Sequence, residues 1–190
     1  VRVREIVQTV LPQAFVTASH SLSQEYREFE RASTVAANAY IGPRVERYVG
    51  QLEQYLEQQR FEGDFFIVQS TGGLFPASVA RRECVRMLES GPAAGVIGAG
   101  AICHHMDLPD AIAFDMGGTT AKAGVILHGQ PLTTGSALIG GYERALPVQV
   151  PMIDIFEVGT GGGSLARVGE GGALRVDPQS AGSMPGPACY

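Results

Sequence analysis

The chain has 190 residues, 45% hydrophobic and 17% charged, with a net charge of −5, which is enough apolar material to bury a core in one or two domains. Its acidic balance excludes a general nucleic-acid surface, which would be basic, and no apolar run reaches the ~18 residues of a membrane helix. Neither nucleic acid nor membrane is therefore an expected partner. Cys84, Cys103 and Cys189 show no Cys-x-x-Cys spacing and leave one unpaired; they are expected to be reduced thiols of a cytoplasmic protein.

The N-terminal VRVREIVQTV scatters charges among apolar residues and has no signal-peptide core. The absence of a starting methionine predicts a fragment of a longer protein. Apolar positions 3, 6, 7, 10 and 11 have helical spacing, and Pro12 closes that helix. Residues 14–18 read as a short strand and Ser23 as the start of a helix, with Glu25 favouring its first turn. Between Arg31 and Arg60 apolar residues recur at positions such as Val35, Ala39, Val45, Val49, Leu52 and Leu56. That spacing predicts a long amphipathic helix with a kink near Gly42-Pro43. Gly63 ends it, and 65–69 reads as a buried strand followed by a turn over 70–73. One helical turn over 77–82 and a strand over 85–88 come next. Ser90 then caps a helix from Gly91 to about His105, with Pro92 in its first turn. Its Ala, Gly, Val and Ile composition predicts a helix buried between layers. The second half is rich in hairpins: strands at 111–115 and 123–127, a tight turn at His128-Gly129, and a strand near 131–136. Short apolar runs follow at 148–150, 153–158, 165–168 and 173–176. A helix-rich first half and a hairpin-rich second half predict an α/β protein with two lobes meeting near residue 90.

The stretch AIAFDMGGTTAKAGVIL, residues 111–127, carries the most chemistry. Two apolar strands meet at Asp115 and a Gly117-Gly118-Thr119-Thr120 turn. Glycines let backbone N–H groups approach a phosphate closely, because no Cβ stands in the way. The threonine hydroxyls can donate to phosphate oxygens, and a carboxylate at the strand end can hold Mg²⁺. The turn lacks the Gly-Lys-Ser/Thr ending of a Walker A loop. An ordinary hairpin with glycines in its turn accounts for the same letters.

Other candidates each carry two readings. Ser90 and Gly91, at a helix N-terminus, suit an anion or form a plain cap. Thr71, Gly72 and Gly73 follow a strand where open α/β sheets bind ligands, or form a structural turn. Gly161, Gly162, Gly163 and Ser164 could touch substrate or a nucleotide phosphate, or serve as a flexible loop between hairpins. Asp154 and Glu157 are acid/base candidates or solvent-facing strand residues. His104 and His105 suit the negative end of a helix, and their adjacency argues against a metal pair. His20 has no evident partner. Cys189 has no base nearby in sequence and reads as a buried thiol rather than a nucleophile.

Together, ESGPAAGVIGAG, FDMGGTTAKAGVI, GGYERALPVQVPMIDIFEVGTGGGSLARV and PGPACY resemble the hydantoinase A/5-oxoprolinase family, and the likeness runs from about Ser19 to Tyr190. The family includes ATP-dependent hydantoinases, N-methylhydantoinase, 5-oxoprolinase and a subunit of acetone carboxylase. The resemblance implies the actin, sugar-kinase and heat-shock-ATPase fold, in which two ribonuclease-H-like lobes clamp ATP and each opens with a phosphate hairpin. Residues 1–90 would be the C-terminal part of the first lobe. Residues 91–190 would start the second, with the connecting helix and the second hairpin. Asp115 would position Mg²⁺ or the in-line oxygen; Gly117, Gly118 and Thr119 would hold the β/γ-phosphates, supported by Thr120. Family hairpins often carry an acidic residue where Lys122 stands here, so metal binding would rest on Asp115.

The implied reaction is ATP-dependent opening of a small cyclic amide, a lactam or hydantoin, whose carbonyl oxygen is phosphorylated first. A B-type subunit or domain is the implied partner, in a hetero-oligomer. The alternatives are an acetone-carboxylase-type subunit that phosphorylates a ketone enolate or bicarbonate, and a non-catalytic ATP-binding module. Without the first hairpin, the 190-residue piece is expected to be inactive by itself.

Overall fold

The computed structural model describes residues 2–140, 145–182, 184 and 186. The chain divides into two compact units: residues 1–90 with 133–153, and residues 91–132 with 154–190. The return of 133–153 to the first unit means that a single cut at residue 90 does not describe the division. Helices and strands are mixed, and every described strand pair is antiparallel. Among the described residues no helix is long and apolar enough to cross a membrane.

The first unit begins with helix α1 (Arg2–Val10), whose apolar spacing is helical as expected and none of whose residues is buried. Residues 14–18 form no strand, because an apolar run becomes a strand only where an edge is available to pair with it. Helix α2 (Ser19–Leu22) follows, and Ser23 closes it instead of opening the next helix. The Ser23 backbone is extended, and its hydroxyl accepts the Glu25 amide at 3.3 Å. Helix α3 (Glu28–Gln58) then runs for 31 residues with Pro43 inside it. Gly42 beside it has a packing role: a Cβ there would collide with the Phe15 ring.

Strands β1 (Phe66–Val68) and β2 (Leu74–Pro76) form a hairpin across the 70–73 turn. Gly72 there has φ of 79°, a left-handed conformation that suits glycine. Helix α4 (Ala77–Ala80) follows. The run 85–88 is no strand; it lies mostly in a 3₁₀ turn, Cys84–Met87. A four-residue apolar run does not distinguish the two, and here tertiary partners decide. The Val85 amide donates to Asn38 Oδ1 at 2.9 Å, and the Arg86 carbonyl accepts from both the Ser70 amide and hydroxyl at 2.7 Å. Strands β6 (Thr133–Thr134) and β9 (Met152–Ile153) pair, as do β7 (Ala137–Ile139) and β8 (Leu146–Val148). The core joins Leu22, Val85, Val148 and Val150 to Val35 and Ile41 of α3.

In the second unit, helix α5 (Ser90–His105) leads into β3 (Ala111–Met116) and β4 (Ala121–Leu127). The turn His128-Gly129, with φ of 52° and 75°, connects β4 to β5 (Gln130–Pro131). Two left-handed residues in a two-residue loop match the twist of a hairpin. Strand β10 (Ile155–Val158) pairs with β4 beside β5, so β4 is central, with β3 on its other edge. Strands β11 (Ser164–Val168) and β12 (Leu174–Ser180) make a separate bulged hairpin. Helix α5 packs on the sheet where Gly124 meets Val96; a Cβ on Gly124 would occupy the Val96 side chain's position. Contrary to the expectation of a helix buried between layers, only Ala93 and Val96 of α5 are buried, and Ile102 is 62% exposed. The sheet covers one side of the helix, and its small side chains serve that single contact.

Candidate functional site

The 111–127 stretch forms the hairpin read from its sequence. Asp115 lies one residue before the end of β3, directly across from Lys122 of β4, and Lys122 lies directly across from Glu157 of β10. Side chains at facing positions of neighbouring strands point to the same side of a sheet. Asp115, Lys122 and Glu157 thus form a row of alternating charge on the face that α5 covers. Lys122 Nζ stands 3.8 Å from Glu157 Oε1. Asp115 is exposed. Asp115 and Lys122 of the row line a groove of about 110 Å³, together with Pro92, Gly95 and Val96 of α5 and with Ala113 and Ile155. That volume is small against the ~300–1,000 Å³ of a small-molecule site. Ser90 and Gly91 do not line the groove, although Pro92 beside them does.

The turn between the strands closes on itself: the Gly117 amide donates to the Thr120 carbonyl at 3.0 Å. Among the described residues, the amides of Gly118 and Thr119 and the hydroxyls of Thr119 and Thr120 have no hydrogen-bond partner. Residues 161–163 lie against the turn. The Gly162 amide donates to the Gly117 carbonyl at 2.9 Å, and the Gly163 amide to the Gly118 carbonyl at 2.7 Å. A Cβ on Gly161 would stand 2.7 Å from both Gly117 O and Thr120 N. The loop is fixed from its own side as well, since Ser164 Oγ accepts the Gly161 amide at 2.9 Å. The structure therefore brings Asp115, Gly117, Gly118, Thr119, Thr120 and Gly161–Ser164 together in one unit.

The other candidates lie elsewhere. Thr71, Gly72 and Gly73 form the β1–β2 turn, where the Gln69 amide donates to the Gly73 carbonyl at 2.7 Å. His20 is exposed on α2. The His104 and His105 rings are 6.1 Å apart at the end of α5. Among the described residues no group of three or more His, Cys, Asp or Glu side chains is placed to hold a metal ion. Asp154 precedes β10, with its amide on the Leu132 carbonyl at 2.9 Å. Cys189 lies outside the described residues. Cys84 is buried, and burial first, then the Glu46 carboxylate, push its thiol up to about 11, which leaves it an inert packing residue.

Sequence reasoning missed two relationships. Glu157 joins the charge row only through the β10–β4 pairing, which no local pattern specifies. The bracing of the turn by 161–163 was signalled only by three consecutive glycines, the composition of a close backbone approach.

Residues 31–190 match the family model described as Hydantoinase/oxoprolinase. The chain is 33% identical to the caprolactamase subunit alpha of Pseudomonas jessenii and 31% identical to the acetophenone carboxylase gamma subunit of Aromatoleum aromaticum. The whole chain is covered in both cases, and it spans 27% and 26% of those relatives' lengths. It also superposes on the crystal structure of the ATP-dependent caprolactamase from Pseudomonas jessenii with a TM-score of 0.76, covering 100% of this chain and 27% of that one. The chain belongs to the hydantoinase/oxoprolinase family.

Proposed function

We propose that this chain is part of an ATP-dependent enzyme that activates a small cyclic amide by phosphorylating its carbonyl oxygen before the ring is opened. The observation that carries the reading is the β3–β4 turn, with an exposed carboxylate at one side and two unpartnered backbone amides at its tip. Such a turn suits a polyphosphate with a divalent cation. Gly117 uses both its amide and its carbonyl within the unit, so the donors assigned to phosphate are the amides of Gly118 and Thr119 and the two threonine hydroxyls. Asp115 would hold Mg²⁺ as a single carboxylate, in keeping with a cation that takes one or two protein ligands beside phosphate oxygens. ATP, when bound, supplies the phosphoryl group; Asp115 and the turn position it. Ser90 and Gly91 at the start of α5 are assigned a supporting role toward the anion, and Gly161–Ser164 a place against the turn that holds it.

In this reading the two units belong to actin-like, ribonuclease-H-like lobes of a longer polypeptide. The groove of about 110 Å³ is one part of its nucleotide site, and the isolated chain is inactive. The relative named caprolactamase supports a lactam substrate, and its designation as subunit alpha supports a partner subunit of the B type in a cytoplasmic hetero-oligomer. The acetophenone carboxylase relative supports a second reading, in which a ketone enolate or bicarbonate takes the phosphate. The test is ATP hydrolysis by the complete polypeptide with its partner, with and without caprolactam, hydantoin, 5-oxoproline and acetophenone with bicarbonate, in wild type and Asp115→Ala. Turnover that needs a cyclic amide and is lost in the variant is the expected result. A requirement for the ketone selects the carboxylase reading. Turnover indifferent to all of them selects a non-catalytic ATP-binding module, and full activity in Asp115→Ala rejects the assignment of the hairpin.

A further inference from the structure

We infer that Gly161–Gly163 is a positioning loop: it grips the outer side of the 117–120 turn and thereby aims the Gly118 and Thr119 amides together at one anion. The inference rests on reading that turn as a phosphate site.

The argument follows from peptide geometry. In a planar trans peptide the C=O of one residue and the N–H of the next point in opposite directions. The Gly117 carbonyl is held by the Gly162 amide at 2.9 Å, and the Gly118 carbonyl by the Gly163 amide at 2.7 Å. The N–H groups of Gly118 and Thr119 share those two peptide planes, so both are turned away from the loop. They are also amides with no acceptor among the described residues. Two adjacent amides turned to one side form a concavity for an anion. Without the loop these peptide planes would be free to rotate, and the two donors would converge only part of the time.

The loop is built to tolerate no side chain at the contact. A Cβ on Gly161 would stand 2.7 Å from Gly117 O, 2.7 Å from Thr120 N and 2.8 Å from Thr119 C. All three are backbone atoms of the turn, so relief requires the backbone of the turn or of the loop to move, which breaks the fit between them. A Cβ on Gly163 would stand 2.8 Å from Gly118 O and 3.0 Å from Ser180 Oγ. By contrast, a Cβ on Gly159 meets nothing within 4 Å. The loop is also held from behind: the Ala181 amide donates to the Gly163 carbonyl at 2.7 Å, and Ser164 makes a reciprocal pair with Gly161. The β11–β12 hairpin thus serves as the anchor, and residues 161–163 as positioning residues that need not touch the nucleotide.

The test uses the complete polypeptide and two readouts. Calorimetry measures the affinity for Mg-ADP, and amide hydrogen exchange in nucleotide-free protein reports protection at Gly162 and Gly163. Gly161→Ala is expected to weaken Mg-ADP binding at least tenfold and to speed exchange at both amides, with Gly159→Ala matching wild type in both. Ser164→Ala, which loosens the loop without a clash, is expected to give the same changes to a smaller degree. It also keeps the question open to measurement if Gly161→Ala does not fold. Wild-type affinity in a Gly161→Ala or Ser164→Ala protein whose exchange has accelerated overturns the positioning role, and unchanged exchange in both variants overturns the contact itself. A wild-type protein that binds no Mg-ADP overturns the phosphate reading, and with it the function assigned to the loop.

Discussion

Asp115 and Lys122 face one another across the β3–β4 pair, and Glu157 faces Lys122 from the opposite strand. A cation thus separates two carboxylates in one row of the sheet. Opposite charges on facing positions contribute roughly 0.2–1 kcal/mol, and like charges oppose pairing by a similar amount. Lys122→Glu would place three carboxylates side by side. Its urea-unfolding midpoint is expected to fall below wild type by an amount equivalent to about 1 kcal/mol, and to recover partly as salt is raised, because partly exposed charges are screened. A deficit that does not change with salt would show that Lys122 acts through its packing and not its charge.

The contact between Val96 and Gly124 predicts a double-mutant result. Gly124→Ala inserts a methyl group into space that the Val96 side chain fills, and overpacking of this kind costs about 1–3 kcal/mol. Adding Val96→Ala vacates that space. The double variant is therefore expected to be more stable than the sum of the two single losses, with a coupling of at least about 0.5 kcal/mol. Strict additivity in chemical denaturation would mean that α5 shifts as a body instead of clashing locally.

Asn38 is fully buried in α3 and satisfies three partners at once. Its Nδ2 donates to Thr17 Oγ1 at 3.0 Å and to the Arg82 carbonyl at 2.9 Å, while its Oδ1 accepts the Val85 amide. Removing the side chain leaves buried groups without partners, at roughly 1–3 kcal/mol for each unsatisfied group. Asn38→Ala is expected to lose at least about 2 kcal/mol of unfolding free energy. Asn38→Asp, which keeps the acceptor but loses the donors, is expected to be no better. A loss under about 0.5 kcal/mol in either variant would mean that the 3₁₀ turn does not depend on this side chain.

The same residues mark what the sequence could and could not disclose. The long helix, the β3–β4 hairpin and the His128-Gly129 turn were legible because each is encoded locally, by a 3.6-residue period, by paired apolar runs and by turn chemistry. The 3₁₀ turn at Cys84–Met87 was misread as a strand because Asn38, 47 positions before Val85, decides its conformation. Ser23 was misread because an extended residue after a short helix has the same letter as one before a helix. Asp115 and the glycine turn were visible as the link of a hairpin; that 161–163 grips the turn was not, since pairing across more than 40 residues leaves no periodic trace.

Cys84 gives a prediction in pH. Its thiol, fully buried, has been raised from 9.0 to about 11, first by burial and then by the Glu46 carboxylate. An acid whose folded value lies above its unfolded one holds its proton longer in the folded state. Its contribution is complete below pH 9 and is lost as the pH rises from about 9 to about 11, by on the order of 2 kcal/mol. Wild-type stability is therefore expected to decline across that window more steeply than that of Cys84→Ala, whose neutral stability is lower because of the cavity. Parallel declines in the two proteins would show that the thiol titrates normally.

The face of the sheet opposite α5 is the basis of the last prediction. Ile112, Phe114 and Met116 of β3 and Phe156 and Val158 of β10 share that face by register, and all five are more than half exposed. A contiguous apolar surface of this kind is an association liability in water. At micromolar concentration the 190-residue chain is expected to sediment as a mixture of oligomers that grows with concentration. Phe114→Thr with Phe156→Thr keeps β-favouring residues in both strands while removing most of the aromatic area. The doubly substituted chain should sediment closer to a monomer with an unchanged far-ultraviolet circular dichroism spectrum. Wild-type chain that is monomeric throughout this range would show that these side chains are covered in solution.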